Sequence, residues 1–441
     1  MDLLVAFALF LIAMVAAVIW KISMVLPLTL GLILFMAVGM KRGFSIGALW
    51  QMGMSGTRDS LIVIKVMCVI GFLTAVWRIS GTITVFVYYG IQLITPSLFL
   101  LIGFLLACLL SYALGTSFGV AGTVGVIFMT LARSGGVDPA ITAGILMSGI
   151  YFGDRCSPVS SSANLVAGVS GTDIFQNVKM MMKTAMLPLF LTFLIYLGMS
   201  FSHPIQQVDA SVVSAFEQEF SLSLWAFLPA LFMLILPLLK IQVLHSMAVS
   251  IVSGMGVAWM VQKVPLLEVL RTCIFGYEAK GEGLGAILNG GGLMSMMEIV
   301  IILVISCAYS GIFSGTKMLE TLQETLKGTC NRFGRFAVML CMSIVTAAVF
   351  CNQTISTIMC SNLLKKPYLD GGGSLEELAI DMENSVILIA CFIPWSIGCS
   401  VPLAFFGVGA EALPFAVYMY ALPLLYWARK KKWYADKPSV V

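Results

Sequence analysis

Apolar windows of roughly 17 to 25 residues recur along most of this chain, each long enough to cross a hydrocarbon core of about 30 Å. That recurrence leaves few folds open. In lipid every backbone N–H and C=O must be paired within the chain, so only helices and closed barrels span a bilayer, and runs of this length are helical. Of 441 residues, 60% are hydrophobic and 10% are charged, whereas an average soluble domain carries about 25% charged residues. The chain reads as an all-α polytopic membrane protein with about 11–13 transmembrane helices. Residues 3–20 resemble a signal peptide in length, but Asp2 leaves no basic n-region and a second span follows at once, which predicts a first helix.

The net charge of +4 is dominated by Arg429-Lys430-Lys431-Lys432 and a few loop clusters. A basic cluster directly after a span favours the cytoplasmic side, which predicts a cytoplasmic C-terminus; Lys41-Arg42 with Arg58 argues the same for that loop. Eleven cysteines are scattered, mostly through apolar spans, with no CxxC spacing, so they read as buried thiols. His203 and His245 lie far apart without nearby ligand partners, which leaves a zinc site or a Ser-His-Asp triad without support. The expected partners are the lipid bilayer and a small ion or molecule, with no nucleic acid; a homodimer is compatible with such a chain.

The stretch from Leu146 to Gly171 sets an Asp-Arg pair, a proline and a run of hydroxyls inside an otherwise apolar segment. It predicts one half-helix up to Phe152, an unwound break over Gly153–Pro158, and a second half-helix over Val159–Val169. Unwound backbone at membrane depth is tolerated only where protein buries it or it lines a watery cavity, so the break predicts an internal site. The earlier run through Gly115-Thr116-Ser117 predicts another interruption, although small residues at this density also serve close helix packing. Arg78 ends a span beside Ser80-Gly81-Thr82 and admits two roles, snorkelling to the interface or facing the bundle.

A similar punctuation recurs further along. Ser80-Gly81 has a counterpart in Ser310-Gly311, and Gly115-Thr116-Ser117 in Asn352-Gln353-Thr354; Gly115 to Pro158 is 43 residues (158 − 115) and Asn352 to Pro394 is 42 (394 − 352). Paired interruptions in two hydrophobic halves are the sign of a secondary transporter built from inverted repeats with broken helices and re-entrant segments. The expected organisation is an extra N-terminal helix at 1–20, a first repeat at 21–200, a polar linker at 201–221 carrying Asp209, Glu217 and Glu219, a second repeat at 222–428, and a basic tail at 429–441. Residues 43–60 read as a polar-studded loop, 264–292 as a mixed segment with Glu278 and Glu282, and 316–335 as a basic amphipathic piece.

The physics of such a site follows from its half-helix ends. Half-helix C-termini and unwound carbonyls favour a cation, while half-helix N-termini and basic side chains favour an anionic group. A buried carboxylate that accepts either a proton or a metal ion is enough for antiport. Asp154 and Glu383 are the candidates by position, with Glu298 a weaker one. A Na⁺ ion would be held at Asp154, Thr116, Asn352 and Glu383. The wider set of ion- or substrate-binding residues is Ser117, Ser157, Ser160, Ser161, Asn164, Gln353, Thr354, Asn384, Arg78 and Arg155. No cofactor is expected; Na⁺ and H⁺ are cargo. An enzyme is disfavoured because no histidine or lysine is placed to activate Ser157 or Ser160, and a channel would leave the duplicated breaks unexplained.

Several motifs together resemble the NhaC-type sodium/proton antiporter family of bacterial inner-membrane carriers. They are Trp77 with Ser80-Gly81-Thr82 and Tyr88-Tyr89-Gly90, GTSFGVAGTVGV at 115–126, SGIYFGDRCSP at 148–158 with Asn164-Leu165, and Glu383-Asn384-Ser385 with Ile393-Pro394-Trp395. The resemblance implies a multi-pass exchanger of Na⁺ and H⁺ working by alternating access, although similar proteins also exchange small carboxylates such as malate for lactate. The chain departs from the family's pattern near the cation chemistry. Ser160-Ser161-Ser162-Ala163 stands where the family typically has Ser-Asp-Thr-Thr, Glu383-Asn384 where it has Glu-Asp, and Arg78 where it has a neutral residue. Those changes shift the site by about three charge units toward positive. They open a second expectation, in which Arg78 or Arg155 receives the carboxylate of an organic acid or amino acid bidentately.

Overall fold

The structure is a computed structural model that describes residues 2–20, 22–59, 61–93, 95–205, 210–239, 241–280, 284–316, 330 and 332–434. Asp209, Glu282, most of the amphipathic piece at 316–335 and the end of the basic tail fall outside these residues. Among the described residues the chain is helical throughout, with one isolated antiparallel bridge between Tyr277 and Gly290. Four helical stretches are long and apolar enough to cross a membrane alone, namely Pro96–Leu114, Ser117–Ser134, Ile174–Ser202 and Met294–Phe313, and a fifth is Ile64–Ile79 with Thr82–Tyr89, bent by 61°. Six further apolar helices run 10–17 residues.

Helix Pro139–Cys156 is the axis of the larger core, and every residue from Ile141 to Cys156 is buried. A helix that is apolar or small all round must be enclosed by protein on every side. Its partner is Phe99–Leu114, approached through Gly149 and Gly153. A Cβ added at Gly153 would come within 2.3 Å of the Tyr112 nitrogen, so only glycine permits this crossing. A smaller core joins helices Asp2–Ile19 and Val25–Lys41 to Met297–Thr316 through Phe10, Phe35, Tyr309 and Phe313.

The sequence expectations need four corrections. Residues 43–60 are not a loop: Ile46–Asp59 is a helix, with Gly56 set against Cys307 and Gly311 of Met297–Thr316 so closely that a Cβ at Gly56 would lie 2.2 Å from the Cys307 carbonyl. Its polar content had hidden a small-residue contact face. The linker contains a helix, Ala210–Glu219. The central half-helix does not stop at Phe152 but continues through Asp154 and Arg155 to Cys156. Unwinding begins at Ser157 (φ −84°, ψ 132°), the residue before Pro158, where the proline ring disfavours helical backbone. Finally, Lys430 does more than signal topology. Its ammonium pairs with Glu377 at 2.8 Å and with Asp381, both buried, and Tyr368 and Tyr426 each donate to Asp381 at 2.8 Å.

Local backbone features recur at a fixed offset, one residue out of the register expected from Asn352. Helices Phe99–Leu114 and Arg335–Phe350 are each 16 residues long. The first ends in left-handed Gly115 (φ 62°) and the second in left-handed Cys351 (φ 53°), 236 residues later (351 − 115). Extended Thr116 and Asn352 follow as helix caps. The same offset relates Asp138 to Ser374 and Ser160 to Ser396, the residues at the starts of later helices, Pro158 to Pro394, and the left-handed glycines 171 and 407 that end the ten-residue helices Ser161–Ser170 and Ile397–Phe406.

Candidate functional site

Asp154 occupies the last turn of Pro139–Cys156, buried (5% exposed), at a helix end whose carbonyls carry partial negative charge. Its carboxylate is met by three hydroxyls. Ser160 donates to Oδ1 at 2.9 Å, and Ser117 and Ser162 donate to Oδ2 at 3.4 Å. Ser160 also caps the next half-helix by accepting from the nitrogens of Ser162 and Ala163. The amide of Asn164 donates to the carbonyls of Pro158 (2.9 Å) and Ser160 (2.7 Å), while Ser157 Oγ accepts from the Val159 nitrogen at 3.3 Å. Thus Asn164 and Ser157 hold the break in shape, and Ser117, Ser160 and Ser162 hold the acid.

The neighbouring side chain faces the other way, since adjacent helical residues do not share a face. Arg155 is fully buried and clamps the second half's break. Its Nε donates to the Glu383 carbonyl (3.1 Å), Nη1 to the Met181 carbonyl (3.3 Å) and the Tyr418 hydroxyl (3.4 Å), and Nη2 to Thr184 Oγ1 (3.1 Å) and to Asn384 Oδ1. Nη1 also reaches Cys156 Sγ at 3.2 Å, so all three nitrogens are engaged within the protein and this guanidinium offers no free edge to a carboxylate cargo.

Glu383 ends helix Leu375–Glu383 at zero exposure, and neither carboxylate oxygen has a hydrogen-bond partner; Asn384 Nδ2 is likewise unpartnered. The link between the two acids is Arg155, the residue after Asp154, which donates to the Glu383 carbonyl. A buried, unpartnered carboxyl is stable only with a proton or a cation on it. Tyr151, three residues before Asp154, donates to the Gly398 carbonyl and ties the first half's helix to the second half's.

Between the halves lies a cavity of about 200 Å³, lined by Ser161 and Ser162 from one and Gln353, Thr354 and Thr357 from the other. Thr116 and Asn352 flank the breaks but use their side-chain oxygens as caps, on the Gly119 nitrogen (3.2 Å) and on the nitrogens of Thr354 (2.9 Å) and Ile355 (3.3 Å). Arg78 belongs elsewhere, in a cavity with Arg133. Glu298 sits in the first turn of Met297–Thr316 and accepts from Ser23, away from both cavities. Sequence reasoning passed over Ser162, Tyr151, Thr184, Thr357 and Arg133. Ser162 follows a capping serine by two residues, a spacing that could have signalled it; Arg133 looked like an ordinary helix-end cation.

Chemically, the assembly offers a buried carboxylate dressed by hydroxyls at the C-terminal turn of Pro139–Cys156, a second carboxyl without hydrogen-bond partners, and a small cavity of neutral polar groups at the first turns of Ser161–Ser170 and Gln353–Asp370. The carboxylate and its hydroxyls are ligands for a hard, weakly charged cation in competition with protons.

Residues 149–428 match the profile of the Na⁺/H⁺ antiporter family. The chain is 27% identical over 377 residues to the Na⁺/H⁺ antiporter NhaC of Alkalihalophilus pseudofirmus, covering 84% of this chain and 82% of that one. It is 26% identical over 409 residues to the Na⁺/H⁺ antiporter NhaC of Bacillus subtilis, covering 91% and 90%. It is also 24% identical over 371 residues to the malate-2H⁺/Na⁺-lactate antiporter of Bacillus subtilis, covering 82% and 79%.

Proposed function

Because the chain belongs to the Na⁺/H⁺ antiporter family, we propose that it exchanges Na⁺ for H⁺ by alternating access, with Asp154 as the group on which the two ions compete. The protein is a multi-pass membrane protein and a secondary active antiporter, not an enzyme. Its setting is a bacterial cytoplasmic membrane with the C-terminus inside. The observation that carries this reading is the carboxylate of Asp154, buried and hydrogen-bonded by Ser117, Ser160 and Ser162, at a break tied through Arg155 to the Glu383 carbonyl.

In one facing state the hydroxyls and the carboxylate replace the water around a dehydrated Na⁺, and Glu383 supplies a second negative charge. Reopening to the other side releases the ion and leaves the acid to take a proton, so the charge in the site is never uncompensated. Broken helices suit this cycle, because their ends change contacts without unfolding a whole span. The test is purified protein in liposomes with a trapped pH-sensitive dye. External Na⁺ alone is expected to drive proton efflux; silence on Na⁺, Li⁺ and K⁺ alike would refute plain cation exchange.

A second reading, exchange coupled to a small carboxylate, is favoured by Arg78, which faces a cavity that no acid lines among the described residues. It predicts a dye signal only when an organic acid accompanies the cation.

A further inference from the structure

Two of the buried arginines differ in a way that packing does not explain. Arg155 has every donor satisfied, whereas Arg78, 8% exposed, makes a single hydrogen bond, from Nη1 to the Thr74 carbonyl at 2.7 Å, and its Nε is buried without a partner. Arg133 converges on the same cavity, held by donation from Nη2 to the carbonyls of Phe406 and, at 3.2 Å, Gly407. The cavity measures about 420 Å³; Thr74, Asn289 and Ser295 add neutral polar groups, and among the described residues no Asp or Glu lines it. Among the described residues neither arginine forms an ion pair. Two guanidiniums lining one cavity repel each other, a cost that folding alone gives no reason to retain.

We propose that this cavity binds a small organic carboxylate between Arg78 and Arg133, at a site separate from Asp154. The Arg78 guanidinium lines the cavity with a single hydrogen bond to hold it, and its planar fork matches a carboxylate bidentately. Arg133, fixed by backbone carbonyls at the end of Ile397–Phe406, supplies the second positive charge. Two cations suit a dicarboxylate, and Asn289, Ser295 and Thr74 suit a hydroxyl on its carbon chain. The volume accommodates an acid of a few carbons. The site also touches elements that move in any exchange cycle: Arg78 precedes the 61° bend after Ile79, and Gly407 closes the half-helix that begins at the second break. The proposal rests on the carboxylate-coupled reading for its role in transport, but not for binding itself.

The experiment is isothermal titration of L-malate into the purified full-length protein, with inorganic phosphate as competitor. Saturable malate binding is expected, weakened at least roughly tenfold in Arg78→Gln and in Arg133→Gln, and weakened also in Arg78→Lys, which keeps the charge but loses the fork. Arg133 is only part-buried, so its variant guards against a folding failure of Arg78→Gln. No malate binding to the wild type, or unchanged binding in both glutamine variants, would overturn the site; displacement of malate by equal phosphate would assign it to an inorganic oxyanion instead. Malate that binds in this arginine-dependent way without moving protons in liposomes would keep the site and reject coupled transport. Malate-driven proton movement that persists in both variants would keep coupled transport and reject the site.

Discussion

The two segments 139–171 and 375–407 share landmarks at a fixed offset of 236 and divide the chemistry. Each has a side-chain-capped first helix, a proline and a ten-residue helix closed by a left-handed glycine, but Pro139–Cys156 is one unbroken helix whereas its counterpart is interrupted at Asn384–Ser385, and Ser396, unlike Ser160, makes no capping bond. Their side chains differ where it counts. The position equivalent to Asp154 is Ala390 (390 − 154 = 236), and the position equivalent to Glu383 is Met147 (383 − 147 = 236). The first break surrounds its acid with hydroxyls; the second leaves its acid bare and is itself pinned by Arg155 from the first. The recurring landmarks therefore come with one carboxylate held by hydroxyls and one left bare, and on the proposed exchange the two segments are unequal partners.

The largest effects should separate the two acids. Asp154→Asn is expected to lower Na⁺-driven proton efflux in liposomes by about a hundredfold or more, and Glu383→Gln by roughly tenfold, since it removes a neighbouring charge rather than the acid held by hydroxyls. Equal losses would make the halves equivalent and break the comparison.

The next effect is on stability. Arg155→Met strips donors from the Glu383 and Met181 carbonyls and from Asn384 and should cost about 3–5 kcal/mol, as breaking a buried polar clamp does. Unfolding followed by tryptophan fluorescence measures it, and a cost near zero would deny that the first half holds the second in shape.

The smallest effects concern the glycines. Gly115→Ala puts a Cβ 2.7 Å from the backbone of Val159 at positive φ, which should cost about 1–2 kcal/mol from the backbone conformation alone. Gly168 has open space around it, and its counterpart in the second half is Ala404 (404 − 168 = 236). Gly168→Ala should accordingly be neutral or stabilising by up to about 1 kcal/mol. Thermal unfolding of the two alanine variants compares them directly.

Much of this was legible in the chain. Pro158 and Pro394, Gly115, and the polar residues around them stand out against apolar sequence, because lipid tolerates such interruptions only at protected places. Asp154 was legible for the same reason. Less visible were properties that depend on which residues meet in space. Nothing local distinguishes Arg155, whose donors are all satisfied, from Arg78, whose Nε is left over. The helix at Ile46–Asp59 was hidden because its glycines serve a distant helix rather than its own propensity. Lys430 read as a solvated tail charge because Glu377 and Asp381 lie about fifty residues away in sequence.

The central claim is that Na⁺ and H⁺ compete for one carboxylate, and proton release on ion binding measures that without any membrane. Purified protein in weakly buffered detergent solution should release protons when NaCl is added, and not when choline chloride is added. Asp154→Asn should release none. Proton release by Asp154→Asn equal to that of the wild type would contradict the account and move the exchange to another acid.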